Sequence, residues 1–482
     1  MSELDIELIK KRSVVGVVAL TARTFVLQVV AFSATFILTL FLSPETFGVF
    51  YVVTAIIAFL GYFSDIGLAA ALVQKREEVT NSDLTTTFVI QQSLVVSLVV
   101  LALVFSNSVA AFYRLDNAGV WLFRALAVSF LLSSLKTIPS VLLERKLAFD
   151  RLVIPHIVET IGFYVVAVYF AWRGAGIASF TWAVLSRGIL GLITMYLVAP
   201  WTPTLTFSIE SAKKLMKFGV PFQMNSFLAL LKDDLLTVFL GKVLPFAEMG
   251  YIGWAKKWAE VPLRLIMDSV IRVTFPTYSR LQHDTRVLAK AIEKTVFGLA
   301  ALILPISISL LFFMRPMVEI IPKYVKWEPA LLSFSLFVFS SILAALSTPL
   351  VNTLNAVGRI KTTLMFMIGW TVGTWALCIL FLGIIGFNGI ALAMLIVSSS
   401  VYIVVYVTKK IIRFSFVSNV RSPVLAAVLQ AGSYALLLRL MPHTYIWLLV
   451  AGATGVILYG VLLYTLERQK IDELIATVRR ST

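Results

Sequence analysis

The chain has 482 residues, of which 59% are hydrophobic and only 14% are charged, and this composition excludes a soluble globular protein. The net charge of +16 does not argue for nucleic-acid binding, because most Lys and Arg residues stand in short connections beside apolar segments. One cysteine, Cys378, excludes an intramolecular disulfide, and the three histidines lack the spacing of metal ligands, so no metal site is expected.

Apolar segments of about 20 residues or more recur along the whole sequence, which is typical of an all-α integral membrane protein. We predict about fourteen transmembrane helices, and the first apolar run is too long for the core of a signal peptide. The predicted spans cover residues 13–42, 46–73, 84–107, 118–140, 151–172, 176–198, 213–241, 247–277, 289–313, 329–353, 361–383, 387–409, 422–440 and 445–466.

The Lys and Arg residues of the predicted loops indicate the orientation. The loops on the side of the N-terminus hold 25 of them, whereas the loops on the other side hold seven. Because basic loops stay in the cytoplasm, both termini are predicted to be cytoplasmic. The asymmetry also favours an even number of spans, since the loss of one span would mix the two sets of loops.

A weak internal similarity predicts two halves. Thr46-Phe47-Gly48-Val49 opens the second span, and Glu248-Met249-Gly250-Tyr251 opens the eighth span 202 residues later. An even number of spans separates the two, so the repeat is expected to be parallel. The predicted domains are an N-terminal lobe with six spans (1–199), a cytoplasmic linker (200–212), a second six-span lobe (213–412), and spans thirteen and fourteen with a cytoplasmic tail (413–482).

The eighth predicted span carries alternating charges at every fourth residue, which are neighbours on a helix. These charges are Lys256, Glu260, Arg264, Asp268 and Arg272, with Lys257 beside the first. A charge near the bilayer centre costs roughly 3 kcal/mol, so the side chains must face protein or water. Two interpretations stay open: a self-neutralising ladder that stabilises the bundle, and a helix that lines a polar path with Arg264 near mid-depth. Pro262 predicts a bend in this helix.

Other ionisable residues lie inside the first six predicted spans. Arg23, Asp65 and Glu159 are each placed roughly eight to ten residues from the cytoplasmic face, where they could meet, and Arg187 is placed nearer the middle. A structural ion pair between Arg23 and one of the two carboxylates is one interpretation. The other is a cavity in which Arg23 binds an anion and the carboxylates titrate or bind a cation. Arginines favour phosphate or carboxylate ligands, because guanidinium matches their oxygens bidentately.

The sequence contains neither a phosphate-binding glycine loop nor a catalytic triad, so we predict a protein that is not an enzyme and has no cofactor. Several motifs resemble those of the Wzx-type polysaccharide and oligosaccharide flippases. This polysaccharide transport family belongs to the MOP superfamily, together with the MATE multidrug exporters and the lipid II flippases. The motifs are Leu42-Ser43-Pro44-Glu45-Thr46-Phe47-Gly48, Asp65-Ile66-Gly67-Leu68 and Phe275-Pro276-Thr277-Tyr278-Ser279-Arg280-Leu281-Gln282.

The resemblance implies a fold of two six-helix lobes in a MATE-like V-shaped arrangement, plus two C-terminal helices. It also implies alternating access, in which an undecaprenyl-diphosphate-linked oligosaccharide moves from the cytoplasmic to the outer leaflet of a bacterial or archaeal cytoplasmic (inner) membrane. Arg23 and Arg264 stand in the same two helices, the first and the eighth, as arginines in the cavity of lipid II flippases. Other polysaccharide assembly proteins are possible partners.

The resulting hypothesis is a flippase in which the headgroup of the lipid-linked substrate crosses the membrane through a hydrated cationic cavity. Its predicted substrate-binding residues are Arg23, Arg187, Lys257, Arg264 and Arg272. The resemblance also implies Na⁺ or H⁺ as a possible coupling ion, and the candidates for ion coupling are Asp65, Glu159 and Asp268. A cation-coupled multidrug antiporter of the same fold is the alternative, although a cavity for cationic drugs should be acidic and aromatic.

Overall fold

The computed structural model describes residues 27–75, 77–440 and 444–481. Of the described residues, 87% are helical and none lies in a β-strand, which confirms the predicted all-α fold. The first helices are α1 (27–41), α2 (Pro44–Tyr62), α3 (Leu68–Gln74), α4 (Asn81–Val104), α5 (Ser106–Tyr113), α6 (Asn117–Ser134), α7 (Thr137–Arg145), α8 (Phe149–Trp172), α9 (Ala178–Val198) and α10 (Ile209–Val243). The others are α11 (Phe246–Ala259), α12 (Val261–Leu281), α13 (Thr285–Ile320), α14 (Leu331–Ala356), α15 (Ile360–Ile385), α16 (Asn388–Ser398), α17 (Val401–Ile411), α18 (Phe416–Leu440) and α19 (Tyr445–Ser481).

Eleven helices or helix pairs in the described ranges are long and apolar enough to cross a membrane. These segments make the chain a multi-pass membrane protein. The predicted count of about fourteen is not confirmed, because α1, α10 and the pair α11–α12 are not among the eleven. They stay predicted crossings. The eleven are α2, α4, α6–α7, α8, α9, α13, the 3₁₀ turn 325–330 with α14, α15, α16–α17, α18 and the first part of α19.

Polar caps begin several of the long helices. The Thr80 hydroxyl accepts a hydrogen bond from the Asp83 amide at the start of α4, and the Asp83 carboxylate accepts one from the Thr80 amide in return. Asp284 accepts bonds from the amides of Arg286 and Val287 at the start of α13. Such caps satisfy amides that have no partner within the helix, so short polar sequences set where these helices start.

The chain divides into two compact units after Gly250. In the first unit, α10 packs against α2 and α3, so it is part of this unit. The short helices α3 and α7 share an apolar core with α4 and α10. The Arg145 guanidinium donates hydrogen bonds to the carbonyls of Leu72 (2.6 Å) and Lys75 (2.8 Å) and thereby caps the C-terminal end of α3. The predicted lobes, with their linker at 200–212, stay a prediction.

Two glycines explain the internal similarity seen in the sequence. A Cβ on Gly48 would collide with the Phe246 carbonyl, and a Cβ on Gly250 would collide with the Pro44 carbonyl. The same offset of 202 residues relates Pro44 to Phe246 and Gly48 to Gly250, so the contact is reciprocal. Glycine is therefore required at both positions, because only a residue without a side chain permits this close approach of two helix backbones.

The second unit has an aromatic core and a buried polar network. Trp254 of α11 stacks on Trp327 with ring centres 5.4 Å apart, and both rings are almost fully buried. Elsewhere, Gln430 and Tyr434 of α18 are fully buried, and Ser309 of α13 forms a hydrogen bond with the Tyr434 hydroxyl (2.9 Å). Because buried polar groups demand partners, this network fixes α18 against α13 in one register.

Candidate functional site

Four of the predicted spans are interrupted in the described part of the chain, and each interruption carries polar residues. The breaks lie at residues 63–67 between α2 and α3, at 135–136 between α6 and α7, at Glu260 between α11 and α12, and at 399–400 between α16 and α17. Interrupted helices place polar backbone and side chains at membrane depth, where they are tolerated only in protein or beside water. These four breaks are therefore the candidate functional positions.

The break between α2 and α3 contains the predicted coupling residue Asp65. One carboxylate oxygen, Oδ1, accepts a hydrogen bond from the Ala69 amide at 3.1 Å, and the side chain is half-buried. Ile66 and Gly67 follow with φ of 49° and 74°, and the left-handed conformation is strained for a β-branched residue such as Ile66. Asp65 thus lies in a strained turn and not, as the hydropathy predicts, inside one continuous helix.

This break packs against a glycine and proline segment of α10 in the same unit. A Cβ on Gly67 would collide with the Gly219 carbonyl, so the two backbones are in direct contact. The Tyr62 hydroxyl donates to the Gln223 carbonyl (2.6 Å), and the Gln223 amide group donates to the Tyr62 carbonyl (2.8 Å). These two bonds satisfy backbone groups next to the break and hold its conformation.

The break between α6 and α7 carries Lys136, which is the partner of the predicted coupling residue Glu159. The Lys136 ammonium lies 2.5 Å from Glu159 Oε2, and His156 Nδ1 lies 3.1 Å from Glu159 Oε1. Glu159 is buried, and a Cβ on Gly191 of α9 would collide with its carboxylate. Both carboxylate oxygens are therefore occupied by protein, and a backbone without a side chain makes room for them.

A proline explains why the chain breaks here. Pro139 has no amide hydrogen, so it leaves the Leu135 carbonyl without its helical partner. The Tyr196 hydroxyl of α9 donates to that carbonyl at 3.1 Å. The break therefore turns Lys136 toward α8 and is itself stabilised by α9.

Arg187 on α9 was predicted to bind substrate, and its side chain is exposed. Among the described residues it forms no ion pair within 4.0 Å, although it lies close enough to Glu159 for a Coulombic attraction. The structure thus places Arg187 at the edge of the Lys136–Glu159–His156 cluster, with a guanidinium that is still accessible.

The predicted charge ladder of the second unit is not one helix, because α11 ends at Ala259 and α12 begins at Val261. Pro262 supplies the physical reason, since its ring clashes with the carbonyl four residues earlier. Glu260 stands at the break. Arg264 donates to Glu260 Oε2 from Nε (3.3 Å) and from Nη2 (2.9 Å), and Lys256 Nζ lies 4.0 Å from the other carboxylate oxygen.

Exposure distinguishes Arg264 from its partner. The Arg264 side chain is 56% exposed, whereas Glu260 is 20% exposed. No hydrogen bond from Arg264 Nη1 is found in the described part of the chain, so this nitrogen can donate to a further acceptor. Lys257 is half-buried on α11 and has contacts within the protein.

The side chains of three predicted site residues lie outside the described part of the chain. Arg23 lies outside the described residues. Asp268 and Arg272 lie on α12, but their side chains are outside the described part of the chain. The predicted meeting of Arg23 with Asp65 or Glu159 thus stays a prediction, while the contacts seen for Glu159 are with Lys136 and His156.

The sequence analysis missed Lys136 and His156. Lys136 lies near the end of the predicted span 118–140, and the histidines lack metal-ligand spacing, so neither pattern indicates this cluster. Pro139 and Pro155 were the available signals, because a proline inside an apolar run marks a helix whose backbone needs an outside partner.

The sequence and the fold were also compared with those of known proteins. Residues 37–332, more than half of the chain, match the family model of the polysaccharide biosynthesis proteins. The chain belongs to this family. The predicted resemblance to Wzx-type flippases of the MOP superfamily is thereby confirmed.

Two relatives show how far the similarity extends. The succinoglycan biosynthesis transport protein ExoT of Rhizobium meliloti (strain 1021) is 24% identical over 466 residues, which cover 92% of this chain and 91% of ExoT. The lipopolysaccharide biosynthesis protein WzxC of Escherichia coli (strain K12) is 24% identical over 331 residues, which cover 66% of this chain and 65% of WzxC.

A solved structure shares the fold. The lipid II flippase MurJ, in an inward closed conformation, superposes with a TM-score of 0.75 at 14% identity and covers 95% of this chain and 100% of MurJ. At this identity the superposition shows the fold alone. This member of the polysaccharide biosynthesis family therefore has the helical architecture of MurJ.

Proposed function

We propose that the protein moves a polyprenyl-diphosphate-linked oligosaccharide from the cytoplasmic to the outer leaflet by alternating access. Family membership and the transport activity named for ExoT support this reaction class. The reaction makes and breaks no covalent bond, so binding and conformational change are the only requirements. The lipid tail stays in the bilayer, while the charged diphosphate and the sugars need a polar route.

One observation carries the choice of an anionic headgroup: the exposed guanidinium of Arg264 beside the break at Glu260. Its Nη1 can donate to a diphosphate oxygen while Nε and Nη2 keep their bonds to Glu260. Arginine binds phosphate through a planar fork that keeps its charge at any physiological pH. Arg264 is thus the first residue proposed to hold the headgroup, and Arg187 is the second, since it is exposed and has no described ion pair.

The test is transport by the purified protein in liposomes with a fluorescent polyprenyl-diphosphate-linked oligosaccharide, bleached from outside by an impermeant reductant. Arg264→Ala is expected to slow transport at least about tenfold, because it removes a charge-assisted contact of about 1.5–3 kcal/mol. Arg264→Lys should recover only part of the rate, because an ammonium lacks the fork.

Arg315→Ala is the matched control, since Arg315 is also exposed and pairs with a glutamate four residues away, Glu319, at 3.1 Å. It should transport at the rate of the unmodified protein. Arg264→Ala with normal folding and full transport would refute the role of this guanidinium. Movement of cationic dyes against a proton gradient, with the lipid-linked oligosaccharide left in place, would instead establish the multidrug antiporter.

We further propose that Asp65 binds the coupling cation, Na⁺ or H⁺. Its carboxylate has one oxygen, Oδ2, with no described partner, and it stands in a break at the C-terminal end of α2, where the helix dipole attracts cations. Glu159 is the weaker candidate, because both of its oxygens are occupied.

Asp65→Asn should abolish the dependence of transport on an imposed ion gradient while substrate binding persists. Asp150→Asn, at an exposed carboxylate in the first turn of α8, is the control. If Asp65→Asn transport still responds fully to the gradient, the coupling cation binds elsewhere.

A further inference from the structure

The connection between α17 and α18 forms a basic pocket in the second unit, far along the chain from the charges discussed so far. The pocket is open to the surface, has a volume of about 430 Å³, and is lined by Glu293 of α13, Lys409 of α17, and Arg413, Phe414 and Ser415 of the connection. Lys409 and Arg413 are exposed, so their charges are available to a ligand. Neither residue has a described ion pair within 4.0 Å.

Hydrogen bonds and a buried aromatic ring hold the wall of the pocket in place. Glu293 Oε1 accepts a hydrogen bond from the Ser415 amide at 2.6 Å, and the Asn419 side chain donates to the Ser415 carbonyl at 2.6 Å. Phe414 is buried, and the Lys409 ammonium lies 6.0 Å from its ring centre. These contacts fix the connection, and Lys409 and Arg413 both line the same pocket.

The position of the pocket determines the kind of ligand that reaches it. The span formed by α16 and α17 ends at Ile411, and the next span begins at Phe416, so only residues 412–415 join them. A connection this short between two spans stays at the membrane surface, at the level of the phospholipid headgroups. Basic pockets between transmembrane helices at this level bind anionic headgroups.

The flanking surface fits acyl chains. Tyr406, one turn before Lys409 and Lys410, is 60% exposed, and Val417, just after the pocket, is 68% exposed. The Lys410 ammonium lies 4.5 Å from the Tyr406 ring centre, as expected for a lysine stem that covers an aromatic ring at the membrane surface. Apolar exposure on both sides of two cations fits a lipid better than a free ion.

We propose that this pocket binds the phosphodiester headgroup of an anionic phospholipid, with Lys409 and Arg413 as its two cationic ligands. Together with Glu293 they give the lining a charge of +1, which matches a singly charged phosphodiester. The amides in the first turn of α18 point toward the N-terminal end of that helix, which follows Ser415 of the pocket lining, and they add a weaker attraction for the anion. The site is independent of the flippase hypothesis, because it requires no transport.

Native mass spectrometry of the purified full chain with phosphatidylglycerol or phosphatidylcholine tests the proposal. Phosphatidylglycerol should bind at least about tenfold more tightly than phosphatidylcholine to the unmodified protein. Lys409→Gln with Arg413→Gln should remove this preference. Arg359→Gln with Lys361→Gln, which changes the net charge equally at the start of α15, should keep it.

A second variant is expected to bind phosphatidylglycerol more tightly, a result that misfolding would not produce. Glu293→Gln removes the negative charge but keeps an oxygen for the Ser415 amide, so it should bind phosphatidylglycerol several-fold more tightly. Equal binding of both phospholipids, or equal loss in the control variant, would overturn the site. Displacement by millimolar inorganic phosphate would show a free-phosphate site, and displacement by equimolar polyprenyl phosphate would show a substrate site. Either result would overturn the assignment to a phospholipid.

Discussion

Two charge clusters in this protein have a similar arrangement but differ in burial. In the first unit, Glu159 lies between Lys136 and His156, and in the second unit Glu260 lies between Lys256 and Arg264. Each cluster stands at a helix break next to a proline. In each, one carboxylate contacts two basic groups.

The two clusters differ in how deeply their side chains are buried. The side chains of Lys136 and Glu159 are 13% and 6% exposed, and the Gly191 backbone closes on their contact. Those of Arg264 and Lys256 are 56% and 35% exposed. A buried pair is costly to disrupt because the remaining charge has lost its water, whereas an exposed pair exchanges freely with solvent or ligand. From this difference in burial we expect a structural role for the first cluster, whereas the second is the one proposed to bind substrate.

The largest effect is expected from breaking the buried cluster. Glu159→Ala leaves the Lys136 ammonium without its carboxylate and should lower the free energy of unfolding by about 3–5 kcal/mol. The measurement is the melting temperature and the yield of folded protein in detergent. A variant that melts like the unmodified protein but has lost transport would contradict the structural role and restore Glu159 as a coupling residue.

The matched control replaces both partners. Lys136→Met with Glu159→Met removes both charges at similar volume, and such replacements of buried ion pairs are often neutral or stabilising. The double variant should therefore melt well above Glu159→Ala. If it melts equally low, the loss comes from packing against Gly191 and not from the unpaired charge.

The sequence predicts the helical class and the family well, because both depend on apolar runs and short motifs that can be recognised without knowing the tertiary contacts. Apolar runs of sufficient length specify helices in a membrane whatever their neighbours are. The motifs around Gly48 and Gly67 are informative because each glycine meets another backbone, and no other residue fits there. These signals are local, so one sequence contains them.

Apart from the bend predicted at Pro262, the helix breaks and the partner of Glu159 were not predictable in the same way. Hydropathy averages over about 19 residues, so the run 118–140 appears continuous although α6 ends at Ser134. Depth estimates locate Glu159 along the membrane normal but do not show which helix faces it. Lys136 becomes its partner only because the break after α6 turns the chain toward α8, which is a tertiary effect.

The smallest effect is expected from the exposed cluster. Glu260→Gln removes an exposed ion pair between residues four apart, which is worth about 0.3–0.5 kcal/mol, so the melting temperature should barely change. The same change frees Nε and Nη2 of Arg264 for a diphosphate, so a polyprenyl diphosphate should bind about two- to threefold more tightly. Titration of the ligand into both proteins measures this difference. Glu319→Gln, which releases the exposed Arg315 from its own pair with a glutamate four residues away, should leave the affinity unchanged. Weaker binding by Glu260→Gln would mean that the carboxylate orients Arg264 for the ligand, and the two clusters would then differ less than their exposure indicates.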